Sequence, residues 1–316
     1  MTTFVRNNPA KTVRIRGSKM EMSQFKEYLV EQDRKKMTIR SYENDICLFA
    51  RWFQQTNGQE LTASTITAID VREYKQFMLL QQKAKPATIN RRLAASRMYI
   101  KWALSEKIIN YNPIENIKGV REQDHAPRWL SRQQQSALIR EIEKRMQAAQ
   151  TPTRKFEAIR DHAILLLLLN SGIRVSELCG LQADDLVLSE RKGQIIIRSG
   201  KGQKTRTVPL NESSRKALRQ YLEARPTGLP STLFTGMRGG LQTRAVQDML
   251  KSLGHMARVD VSPHMLRHSF AKNLVNSDVS LEKVAMLLGH SSLNTTRLYT
   301  TPSSYDLEKA VGLLDG

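Results

Sequence analysis

Between Ser262 and Thr301 the chain sets out His264, Arg267, His290 and Tyr299, with apolar helical segments between them. A phenol is a nucleophile, a guanidinium is a planar fork for phosphate oxygens, and an imidazole handles protons near neutral pH. His264 and Arg267 are three residues apart, so a helix puts them on one face. Tyr299 follows His290 by nine residues, close enough for one local unit to hold both. Carboxylates do not cluster here, so a catalytic Mg²⁺ has no obvious ligands in this stretch. The chemistry that needs these groups without a metal is attack of a tyrosine on a phosphodiester, giving a covalent phosphotyrosine.

These groups need a scaffold, and the sequence predicts one. Asp161–Leu169 is a strongly apolar helix that should cross the core of a domain, and it stops at Asn170-Ser171-Gly172. Arg174 comes directly after, well placed to hold a phosphate bidentately, and Glu177 is spaced to orient it. Gln194–Arg198 and Lys204–Val208 look like two strands joined by Ser199-Gly200-Lys201-Gly202, so Lys201 projects from a hairpin tip. Lys204 and Arg206, beside it, are rivals for that place and read better as contacts to a phosphate backbone. Val284, Leu287 and Leu288 are core positions of a helix stopped at Gly289, with His290 just beyond. The flanks of Tyr299 (Thr295, Thr296, Arg297, Thr300, Thr301) are polar and suit an accessible phenol. His268 and His255 read as structural.

At 316 residues the chain suggests two domains. Lys and Arg total 50 against 30 Asp and Glu, a formal net charge of +20 spread along the chain. Such an excess favours a polyanion, and nucleic acid fits better than a membrane surface. Cys47 and Cys179 are the only cysteines and neither belongs to a CxxC pair, which argues against a zinc site or disulfide framework and fits a reducing cytoplasm. The longest apolar run, Ala163–Leu169, is far below the ~20 residues of a membrane span. No cofactor and no metal are expected.

The N-terminal part reads as a helical bundle. Phe25, Tyr28 and Leu29 open a helical period, Ile39, Tyr42, Ile46 and Phe49 continue it, and Thr56-Asn57-Gly58 stops it. Ile69–Leu80 predicts a third helix with Asp70 as its cap, and Thr88–Leu104 a fourth, entered through Pro86. Around the start of that fourth helix stand Lys85, Asn90, Arg91 and Arg92, with Arg97 further on: a strip for DNA phosphates and base edges, or a solvated basic face. Lys35, Lys36, Thr38 and Arg40 form a second strip. Residues 113–130, with Pro113, Gly119 and Pro127, read as a linker, after which Ser131 caps a helix.

HMLRH followed by LLGHSSLNTTRLYT resembles the C-terminal boxes of the tyrosine recombinases, the site-specific DNA recombinases of the Xer and phage-integrase type. SGIRVSEL (171–178) resembles their first arginine box, and SGKGQKTRTVPL (199–210) their lysine-bearing hairpin. The resemblance implies a mainly α fold with a small sheet, in two domains. It implies a basic arm over 1–17, a helical core-binding domain over 18–112, the linker, a catalytic domain over 131–304 and a tail helix over 305–316. It implies six catalytic residues. Arg174 and Arg267 hold the non-bridging oxygens, and Tyr299 attacks to give a 3′-phosphotyrosine. His264 helps deprotonate the phenol or bonds the phosphate, His290 adds a hydrogen bond, and Lys201 protonates the leaving 5′ oxygen. No metal or ATP is consumed. The partner is a double-stranded recombination site, bound by a tetramer of this chain, or of this chain and a second recombinase, on two paired sites in the cytoplasm. The tail stripe Leu307, Ala310, Val311 and Leu314 packs on its own domain or docks on a neighbour. A type IB topoisomerase and a DNA-binding regulator without cleavage are the competing readings.

Overall fold

The computed structural model describes residues 17–122, 127–198, 205–236, 239–290, 292–300 and 311–312. The chain divides into two compact units, Met1–Asp124 and His125–Gly316. Among the described residues no helix is long and apolar enough to cross a membrane.

The first unit holds α1 (Gly17–Glu31), α2 (Lys36–Asn57), α3 (Ala68–Leu80) and α4 (Pro86–Ser105). Each helix turns its apolar stripe inward, and Phe25, Leu29, Ile46, Phe53, Met78 and Leu93 make a common core. Aromatic rings fill its centre: Phe49 stacks on Tyr74 at 4.7 Å, and Phe25 meets Tyr99 edge-on at 5.3 Å. The cap of α3 is Thr67, not Asp70. Thr67 accepts from the Asp70 N–H, and the Asp70 carboxylate accepts from the Thr67 N–H, so Asp70 is the second half of a capping box. The start of the expected linker belongs to this unit, because Ile114 and Ile117 are buried in its core.

The second unit holds α5 (Arg132–Ala148), α6 (Pro152–Ser171), α7 (Val175–Gly180), β1 (Leu186–Leu188), β2 (Gly193–Ile197), β3 (Arg206–Pro209), α8 (Glu212–Ala224), β4 (Thr235–Gly236), β5 (Gly239–Gly240), α9 (Thr243–Ala257), α10 (Pro263–Val275), α11 (Leu281–Leu288) and α12 (Leu293–Arg297). Ser131 caps α5 in a second capping box. The apolar run Ala163–Leu169 is the buried end of α6, which already starts at Pro152 with Thr151 as N-cap. This helix is the axle of the unit, with α5, α8 and α10 packed around it. The expected two-stranded hairpin is a three-stranded antiparallel sheet, ordered β1-β2-β3, with Ile195 opposite Val208 and both buried. Lys201 and Lys204 lie outside the described residues, as does the tail stripe apart from Val311.

Candidate active site

Two helix ends and one helix face build the site. Gly172 closes α6 in the left-handed conformation, and Arg174 two residues later starts α7. At that N-terminus Glu177 reaches back. Its Oε2 accepts from the Arg174 N–H at 2.8 Å, and its Oε1 accepts from Arg174 Nη1 at 2.9 Å. The expected orienting partner is therefore in place, and Arg174 keeps 38% of its side chain exposed.

Arg267 projects from α10, which begins at the Ser262 cap with Pro263 in its first turn. Its guanidinium is buried and donates to two carbonyls, Nη1 to Gly172 at 2.6 Å and Nη2 to Leu288 at 2.9 Å. Gly172 ends α6 and Leu288 is the last residue of α11, so two helix C-termini point their partial negative charge at this cation. Backbone carbonyls thus seat the Arg267 guanidinium, which stays charged. Burial, reinforced by the neighbouring charge of Arg174, lowers its pKa to about 10, which leaves it protonated at neutral pH.

His290 follows the left-handed Gly289 that ends α11. Its Nδ1 is 3.0 Å from Thr296 Oγ1 on α12. Burial first, then the charges of Arg267 and Arg174, push it down to about 4, so it is neutral at neutral pH and available as a hydrogen-bonding group.

Tyr299 is only 2% exposed, contrary to the accessible phenol that its polar flanks suggest. The polar neighbours do not mark a surface, since Thr296 is itself buried with His290 as partner. The ring of Tyr299 packs with Phe270, Val284 and Leu288, and its hydroxyl is 2.8 Å from His268 Nδ1. Burial raises the phenol's pKa, against the pull of Arg267 and Arg174. His268, read from sequence as structural, is therefore the group that touches the phenol. The available signal was its spacing of four from His264, which shares its helix face. The two rings lie 6.5 Å apart, with His264 exposed.

Arg206 also differs from expectation. Its guanidinium does not lie open for a DNA backbone; Nη1 and Nη2 donate to Glu177 Oε1 and Oε2 at 3.0 and 2.7 Å. Glu177 thus accepts from two arginines. Burial would raise its pKa, but the hydrogen bonds from Arg206 and Arg174 win and hold it below the usual carboxylate range.

In the first unit, Lys35, Lys36, Arg40 and Lys85 are exposed. The other candidates have partners within the chain. Asn90 exchanges hydrogen bonds with the Val120 backbone, and Arg97 donates to the Ile117 carbonyl at 2.6 Å. Arg91 donates to Ser41 and Asp45, and Arg92 to Gln82.

A helical unit ahead of an α+β unit that brings two guanidiniums, imidazoles and a tyrosine together suits phosphoryl transfer on a chain-like polyanion. Comparison with known proteins makes this specific. Residues 135–305 match the model of the Phage integrase family, and residues 22–107 match that of the Phage integrase, N-terminal SAM-like domain. Tyrosine recombinase XerC of Neisseria gonorrhoeae is 34% identical over 287 residues, covering 87% of this chain and 88% of the relative. Tyrosine recombinase XerA of Thermococcus kodakarensis is 42% identical over 187 residues, 58% of this chain and 64% of the relative. Among solved structures, an XerA recombinase is similar over 95% of this chain and 99% of its own, at 26% identity and a TM-score of 0.52. XerH bound to palindromic difH substrate, at 22% identity and a TM-score of 0.73 over 93% and 85% of the two chains, shares the fold. The chain belongs to the phage integrase family of tyrosine recombinases.

Proposed function

We propose that this protein is a site-specific DNA recombinase that cuts and rejoins strands through a 3′-phosphotyrosine at Tyr299. The observation that carries this reading is the seat of Arg267. A buried guanidinium held by two helix ends, beside Arg174, is a preorganised cradle for a scissile phosphate. Both charges are close enough to Tyr299 to act on its phenol.

In this reading the Tyr299 oxygen attacks phosphorus in line while Arg174 and Arg267 neutralise the non-bridging oxygens. The bond to the 5′ oxygen breaks, and that oxygen takes a proton, which Lys201 supplies. His268 accepts the phenol proton or passes it to the exposed His264, and neutral His290 donates to the phosphate. The diester's free energy is kept in the phosphotyrosine, so rejoining needs no ATP. The solved XerH complexes hold that site-specific recombinase on its difH substrate before and after cleavage. By analogy the partner here is a duplex site, exposed Lys35, Lys36, Arg40 and Lys85 add phosphate contacts, and four protomers join two sites.

The test begins by selecting bound duplexes from a random-sequence pool and nicking the winner near its centre. A protein–DNA adduct that survives denaturation is expected, as is exchange between two such sites, with light scattering giving four protomers per pair. Absence of any adduct would overturn the reading. Relaxation of supercoiled DNA without exchange would move it to a topoisomerase.

A further inference from the structure

Arg206 lies on β3 and turns its guanidinium into the protein, with 14% of the side chain exposed. Besides its two hydrogen bonds to Glu177, its Nε donates to the Leu287 carbonyl at 3.2 Å. The fork lies flat against Gly289, where a Cβ would come within 2.8 Å of Nη1 and 3.0 Å of Cζ. One side chain therefore joins three pieces of backbone. Glu177 fixes Arg174 through both its N–H and its guanidinium. Leu287 and Gly289 flank Leu288, whose carbonyl seats Arg267, and His290 comes next.

We infer that Arg206 is a positioning residue for strand cleavage, setting the distance between Arg174 and Arg267 through Glu177 and the end of α11, without itself touching DNA. The inference rests on the recombinase reading above. Two guanidiniums grip one phosphate only when their spacing matches its oxygens, and misplacement by about 1 Å can cost up to about 10²-fold in rate. Only arginine suits the post. A lysine ammonium cannot make two parallel bonds to a carboxylate and a third to a carbonyl on the other side.

The experiment uses the full chain and the nicked duplex selected as above. Arg206→Met keeps the bulk of the stem and removes the fork. Adduct formation at saturating DNA is expected to fall roughly 10- to 100-fold, with duplex affinity near that of the wild type. Arg206→Lys should recover part of the rate. Glu177→Gln should also slow cleavage, and the double variant should be no slower than the slower single one, because both act through one linkage. A wild-type rate for Arg206→Met overturns the inference. So does an equal loss of affinity, which makes Arg206 a phosphate contact, or a multiplicative double variant. Where Arg206→Met does not fold, Arg206→Lys carries the test, and its rate must fall while its affinity holds. A wild-type protein that forms no adduct ends the recombinase reading itself; a wild-type adduct with an unaffected Arg206→Met ends only the role of Arg206.

Discussion

Asp45 in the first unit and Glu177 in the second each face two guanidiniums, yet only Glu177 is fully hydrogen bonded. Asp45 is buried and accepts from Arg91 on one oxygen, while Arg92 Nε stands 3.9 Å from the other. Among the described residues Asp45 Oδ1, Arg92 Nε and the nearby Tyr74 hydroxyl are buried without a hydrogen-bond partner. Burial therefore prevails and raises the Asp45 carboxyl, against the pull of Arg91. At Glu177 four donors outweigh the same burial, and the carboxyl is lowered. The difference lies in what each arginine has left to give. Arg91 is 43% exposed on its side chain and retains N–H groups for phosphate. Arg206 uses its fork and its Nε inside the protein. In the proposed reading the first unit keeps cations for gripping, and the second fixes them for chemistry.

The largest test of that division is Tyr299→Phe, which should bind the duplex normally and form no covalent adduct on a denaturing gel. An adduct from this variant would move the nucleophile elsewhere. Next come Arg174→Ala and Arg267→Ala, each expected to slow cleavage by roughly 10²-fold, the scale of one lost transition-state donor. Their duplex affinity should fall far less, since many cations share the phosphate contacts. Arg91→Ala should do the reverse, weakening binding with little change in rate at saturation. If the two kinds of variant behave alike, grip and chemistry are not divided between the units.

A smaller effect separates the carboxylates by stability. Glu177→Ala leaves the buried Arg206 without its carboxylate, while solvent screens the partly exposed Arg174, and should cost about 3 kcal/mol in denaturant unfolding at neutral pH. Asp45→Asn removes a carboxylate that is already poorly satisfied and should change stability by under about 1 kcal/mol. The pH signs are opposite. The lowered pKa of Glu177 contributes stability that is present above the unfolded value of 4.5 and lost as pH falls through the folded value. The raised pKa of Asp45 contributes below its unfolded value of 3.8 and is lost as pH rises through the folded one. Unfolding curves of Glu177→Gln should therefore flatten in acid, and those of Asp45→Asn should not. The smallest expected effect is none: cleavage in excess EDTA should match the untreated rate, because the carboxylate beside the two arginines is already saturated by guanidiniums. Activity lost in EDTA and restored by Mg²⁺ would break the scheme.

Helix positions in both units were legible because apolar spacing reports burial directly, as at Ile39, Ile46 and Phe49 or along Ala163–Leu169. The helix ends beside Arg174 and His290 were legible because Gly172 and Gly289 are stop signals, whereas the boxes themselves were read through their resemblance to the family. What remained hidden depends on which polar groups satisfy each other. The burial of Tyr299 rests on His268 taking its hydroxyl, and that of Thr296 on His290. The inward turn of Arg206 rests on Glu177, which is remote in sequence. Asp70 and Thr67 were both visible, but which of them caps α3 is set by backbone angles, and Thr67 takes the extended ones. Strand β1 is three residues long, too short for a period to show.

Gly172 and Gly289 carry one more consequence. Both are left-handed, and both bound the carbonyl seat of Arg267. A Cβ on Gly172 would fall 2.3 Å from the Phe270 ring and 2.9 Å from Leu288, and one on Gly289 would strike Arg206. Anyone evolving this protein toward new targets therefore inherits two closed positions. Libraries spread over the exposed lysines of the first unit meet no packing constraint, whereas a library randomised at 172 or 289 should return glycine among its active survivors.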